Sequence, residues 1–170
     1  DVTVTRGYSV FAHEDIKLTL KSTCNDISSE SVELKAYWEH PCTDFDIISD
    51  NNFTIYSNPD PKGTERYGVI LGGYDVYNEQ LEKVELKYRR KGDAEWTTFE
   101  VIEPKELITA YELTATVPPR PPKYAVEWNI KDDKSIVNGT YEIVAEYTCA
   151  NMGNLRSNVV EGVVDRSSFR

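Results

Sequence analysis

Residues 139–154 read GTYEIVAEYTCANMGN. From Tyr141 onward, Tyr141, Ile143, Ala145, Tyr147 and Cys149 occupy every second position, the spacing that puts side chains on one face of a β-strand. After Cys149 the alternation stops and Asn and Gly follow, residues that supply turns. The stretch therefore ends a half-buried strand on a thiol at the rim of a sheet, in a chain that holds only three cysteines.

The same period of two runs outward from this strand. In IKLTLKS, Ile16, Leu18 and Leu20 alternate with Lys17, Thr19 and Lys21, and in SVELKAYW the inward set is Val32, Leu34, Ala36 and Trp38. Further runs fall at 53–56, 67–73, 83–89, 95–102, 107–117, 124–130 and 158–164, each bounded by Gly, Pro, Asn or Asp. One segment competes with this pattern. NEQLEKVELKYRR is rich in helix formers and Leu81, Val84 and Tyr88 fit a helical stripe, but Val84, Leu86 and Tyr88 also alternate without fault and KGDAEW follows as a turn. A hairpin is expected there, and the whole chain is expected to be all-β.

The chain has 170 residues, 39% of them hydrophobic, enough for one large or two small cores. Its net charge of −10 and pI near 4.7, with lysine and arginine dispersed, argue against nucleic acid, which needs a clustered basic face. Arg89, Arg90 and Lys91 form the one local cluster, at an expected solvated turn. No apolar run approaches the length of a membrane span. The start, DVTVTRGYSVF, lacks the basic-then-apolar layout of a signal peptide, as expected of a chain already processed or cut from something longer. Two acceptor triplets, at Asn52 and Asn138, stand beside expected turns and mark these asparagines as candidate N-glycosylation sites. With the three cysteines they favour an extracellular location.

A seven-stranded sandwich needs only about 100 residues, so these strands exceed one minimal sandwich. The connector SNPDPKG, residues 57–63, divides the chain into an N-terminal β module over 1–60 and a sandwich over 61–170. VPPRPPK is expected to be a loop within that sandwich. LGGYD has adjacent glycines without a nucleotide-binding spacing and suggests a bulge or a close approach of strands.

The segments VELKYRRKGDAEWTTFEV and NGTYEIVAEYTCANMGNLRSNVVEGVVD resemble the central hairpin and the last two strands of fibronectin type III and related Ig-like repeats. Cys149 stands where that pattern usually carries Asp. The resemblance implies an Ig-like/fibronectin type III-like β-sandwich from an extracellular adhesive or structural protein. It implies binding, spacing or assembly, with neighbouring repeats or a fibre as partners, and no catalysis or cofactor.

Cys24 and Cys42 are separated by 17 residues, and closing that loop stabilises by roughly 3 kcal/mol in the chain-entropy model. A Cys24–Cys42 disulfide is therefore expected, with Cys149 the odd cysteine. Cys149 is then free and buried, or bonded to a neighbouring subunit; in the alternative pairing it reaches an N-terminal cysteine and leaves another over.

The two histidines, His13 and His40, have no metal-ligand or triad spacing. Asp44, Asp46 and Asp50 lack the glycine and distal glutamate of a calcium loop, so no metal is assigned. The function expected is an extracellular structural or adhesive subunit, or tandem repeat, of a fibre or surface assembly. The alternative is a carbohydrate-binding or receptor-type module in which exposed tyrosines and Trp96 or Trp128 form the platform. Val2, Val4, Tyr8 and Val10 form an apolar alternating start, and strand exchange with a neighbour is expected through them.

Overall fold

A computed structural model describes residues 13–20, 23–24, 27–28, 32–39, 42–60, 62–114 and 119–169, with side chains from Cys42 onward. The expected strand-exchange residues Val2, Val4, Tyr8 and Val10 lie outside the described residues. Strands β1 (His13–Leu20) and β4 (Val32–Glu39) pair antiparallel, and between them β2 (Thr23–Cys24) pairs β3 (Ile27–Ser28). Their register sets Ile16 opposite Ala36, Leu18 opposite Leu34 and Leu20 opposite Val32, so the two apolar alternations coincide.

Among the described residues nine more strands and one helix follow: β5 (Asp46–Ile47), β6 (Phe53–Ser57), β7 (Arg66–Gly72), β8 (Leu81–Arg90), β9 (Thr97–Ile102), α1 (Pro104–Leu113), β10 (Lys123–Asn129), β11 (Gly139–Cys149), β12 (Gly153–Arg156) and β13 (Val160–Phe169). They build two sheets, one in the order β10-β7-β5 and the other β6-β13-β11-β8-β9 with β12 beside the end of β11. Val69 and Leu71 from the first sheet meet Val84, Leu86, Ile143, Ala145 and Val164 from the second, all essentially inaccessible to water. The all-β sandwich stands. At its centre Trp128 packs among Tyr88, Phe99, Tyr141 and Phe53, with ring centroids 5.0, 6.0, 5.8 and 6.3 Å away.

Ig-like geometry shows in two places. The Tyr141 hydroxyl, near the start of β11, donates to the Val137 carbonyl four residues back at 2.8 Å, the tyrosine corner of such sandwiches. The segment 46–57 also changes sheets: β5 pairs antiparallel with β7, and β6 pairs parallel with β13. Polar residues make the crossing. The Asn158 carboxamide bonds both the N–H and the carbonyl of Ile47, at 2.8 and 3.0 Å, while Asn51 Oδ1 accepts the Glu161 N–H at 2.9 Å. Tyr67 donates to the Asp50 carbonyl at 2.7 Å. Asn52, with φ of 65°, turns the chain into β6.

Two expectations are corrected. A division at residue 60 would leave β5 and β6 in the N-terminal module, yet Phe45, Ile47, Phe53 and Ile55 are buried in the sandwich core. The sandwich therefore takes in 42–57, because the apolar face of 45–55 packs into the core between the two sheets, and the connector after Ser57 joins β6 to β7 within it. The expected strand at 107–117 is the helix α1 over its described part. Pro104 at the first helical position needs no amide partner, and the Glu106 carboxylate accepts the Glu103 N–H at 2.6 Å. Helical spacing then carries Leu107, Ile108 and Tyr111 onto the core.

Gly162, on β13 between β6 and β11, shows how closely the strands are packed there. A Cβ placed there would lie 2.3 Å from the Phe53 ring, itself stacked on Tyr67 at 4.0 Å between centroids. Gly162→Ala is expected to cost about 1–3 kcal/mol through overpacking. Urea unfolding measures it, and an unchanged midpoint would mean that the Phe53 ring has room to move.

Candidate functional site

The outward face of the larger sheet gathers the most chemistry among the described residues. Alternation on β8 points Lys83, Glu85, Lys87 and Arg89 away from the core, and alternation on β11 does the same for Glu142, Val144 and Glu146. Antiparallel register brings opposite charges together: Lys87 lies 2.9 Å from Glu146, Arg89 3.1 Å from Glu142, and Arg156 of β12 3.1 Å from Glu146. Lys83 meets Glu85 at 2.7 Å. The hydrogen bond from Lys87 holds the Glu146 carboxyl below its ordinary pKa, with Arg156 acting in the same direction. Val144 is fully buried on this face beneath the charged row.

Trp96, in the turn between β8 and β9, is half-buried beside this row. The Arg89 guanidinium sits 4.2 Å from its ring centroid and that of Arg156 5.8 Å away, two cation–π contacts each of about 0.5–1 kcal/mol at an exposed site. Arg89 and Arg156 each hold a glutamate and the ring at once, which fixes the turn against β11. Exposed pairs of this kind contribute about 0.2–1 kcal/mol each. The face thus pairs its charges with one another.

The covalent feature lies at the opposite margin of the core. Cys42 bonds Cys149, with Cα atoms 6.1 Å apart and both residues buried. The expected Cys24–Cys42 bridge is thereby corrected, since Cys42 is taken by Cys149, and Cys24 is the odd cysteine by count. The reason is spatial: the chain entering β5 runs alongside the end of β11, so a partner remote in sequence is adjacent in the fold.

The remaining candidates fall as follows. Asn52 and Asn138 are both exposed. Asn138 Oδ1 accepts the Arg166 N–H at 2.7 Å, and its carbonyl accepts from Arg90 at 3.1 Å. Asp44 accepts from the Tyr147 hydroxyl at 3.3 Å, and among the described residues no three histidine, cysteine or carboxylate side chains gather around a metal position. Gly72 is where strands approach closely, since a Cβ there would come 2.9 Å from Ile48. Of the proline segment, the described residues 119–122 lead directly into β10. Trp128 is 2% exposed and offers no platform; Trp96 already carries Arg89. Most core tyrosines are likewise interior groups, Tyr74 being pushed up to about 12 by burial.

Sequence reasoning missed the Trp96–arginine stack, the tyrosine corner and the buried Glu65–Arg166 pair, 3.2 Å apart, whose arginine also donates to the carbonyls of Ile130 and Asp133. For α1 a signal existed in the Glu-Pro-Lys-Glu start at 103–106.

No family model matches the sequence, and neither does any curated protein. Among solved structures, the FN1-FN3 domains of chicken CNTN1 are similar over 87% of this chain and 43% of that one, at 12% identity and a TM-score of 0.36. The chain thus spans less than half the length of that fragment. No helix among the described residues is long and apolar enough to cross a membrane.

Proposed function

We propose that this chain is an extracellular structural or adhesive module, a subunit or repeat of a fibre or surface assembly. The observation that carries the reading is the Cys42–Cys149 bridge, buried at the margin of the sandwich. Such a bond persists where the surroundings are oxidising. The self-neutralised outer face, with its stacked Trp96, supports a contact role. In this reading Asn52 and Asn138, both exposed, carry N-glycans, and the segment with Val2, Val4, Tyr8 and Val10 adds as a strand to a neighbouring unit.

Electron microscopy of the native material tests this. Regular filaments or arrays are expected, and removal of residues 1–6 is expected to leave folded but unassembled protein. Isolated particles at every concentration would reject the assembly, whereas a truncated chain that still assembles would reject strand donation alone. Mass spectrometry of the same material that finds bare asparagine at both positions would remove the glycans from the proposal.

A further inference from the structure

Tension on a chain follows its covalent path, and in this fold the disulfide changes that path. Cys42 precedes β5, and Cys149 ends β11. After Cys149 the chain turns through 150–152 and runs back along β11, first as β12 and then as β13. The pairs Cys149↔Gly153 and Glu146↔Arg156 continue as Ile143↔Val160 and Gly139↔Val164. Between the two strands Ser157 keeps the ladder together, its N–H donating to the Ala145 carbonyl and its Oγ accepting the Ala145 N–H, both at 2.9 Å. β12 and β13 are thus two parts of one edge-to-edge run beside β11.

We infer that the Cys42–Cys149 bridge makes this run the tension member of the sandwich. A load entering from residues before Cys42 crosses the sulfurs to Cys149 and leaves along β12 and β13, bypassing β5 to β11. The run is already extended, spanning roughly 50 Å at strand rise. Residues 150–170 reach at most roughly 75 Å when pulled straight. The bridged sandwich therefore has only about 25 Å to give. The chain between the cysteines, which are 107 positions apart in sequence, hangs from the path as a closed loop and bears no load.

Without the bridge the path differs. Load passes through β5 into the N-terminal end of β6, which lies parallel to β13, with Phe53 opposite Gly162 and Ile55 opposite Val164. Pulling β6 by its start and β13 by its end shears that pair. Once it parts, the whole sandwich joins the extensible chain. The bridge is thus a length switch set by thiol redox state. A dithiol reductant returns both sulfurs to thiols while itself closing to a disulfide.

This inference rests on the structural reading above only in supposing that the chain is loaded through its ends, and its test needs no assembly. The full chain is held by both termini in a single-molecule tether and stretched with and without a dithiol reductant, residues 1–41 contributing equally to both. The reduced chain is expected to reach a final length greater by about 370 Å, the stretched length of the 107-residue loop. Equal lengths would overturn the inference. Gly162→Ala, which disturbs the contact of β13 with Phe53, is expected to lower the unfolding force of the reduced chain. An unchanged force in the reduced chain would show that load does not cross β6 and β13 without the bridge, and would also overturn it. Failure to find filaments in native material would leave both readouts intact.

Discussion

Replacing Cys149 by serine lowers the free energy of unfolding by about 4–5 kcal/mol. The bridge closes a loop of 107 residues, and in the chain-entropy model a loop of about that size removes roughly 4.7 kcal/mol of conformational freedom from the unfolded chain. That is a large share of the total for a domain whose stability is on the order of 5–15 kcal/mol. The serine variant should unfold at markedly lower urea concentration, as should the natural protein in reductant, and the two midpoints should agree. Agreement isolates the loss of the cross-link from any packing effect of the serine itself. A shift below about 1 kcal/mol in both would mean that the unfolded chain holds these ends together without the bond.

The second large effect is expected at Trp128. Its ring is 2% exposed and shares faces and edges with Tyr88, Phe99, Tyr141 and Phe53, which come from four different strands of the other sheet. Truncation to alanine leaves a cavity those rings cannot all collapse into, and the expected cost is about 3–5 kcal/mol. Trp128→Phe keeps most of the volume and should lose less. Urea titration of both variants checks the order. An alanine variant as stable as the phenylalanine one would mean that the aromatic cluster closes over the gap.

The two sites differ in how far the sequence announces them. Trp128 lies in an alternating run at 124–130, so its strand is legible; that it faces the core, with no room for a ligand, depends on the rings packed around it. For Cys149 the alternation through Tyr141, Ile143, Ala145 and Tyr147 places the thiol on the inner face at a rim. Its partner is not legible. Spacing favours Cys24 for Cys42, because short loops are the visible ones, whereas the fold brings Cys42 within 6.1 Å of Cys149 between Cα atoms.

The outer face shows a similar division. Lys83, Glu85, Lys87 and Arg89 alternate plainly with apolar residues, so their exposure follows from the pleat. The pairing of Arg89 with both Glu142 and Trp96 comes from the register of β8 against β11 and from the fold of the turn after β8. Neither is local.

What the sequence by itself determined is the set of strands and the sense of their faces. A period of two is imposed on a strand by its own backbone, within a few residues, and needs no partner to be visible. Local preference was weaker evidence at 104–113, where an apolar pattern fits either period and the helix is decided by Pro104, the Glu106 contact and the core beneath Leu107. Only the tertiary structure decided that 46–57 serves both sheets, and that this segment therefore belongs to the sandwich. The apolar residues of that segment are satisfied by burial anywhere, and their assignment rests on hydrogen bonds to Asn158 and Glu161, more than 100 residues away in sequence. The same separation hid the disulfide, since no pattern within a window of ten residues records which strand will end beside which.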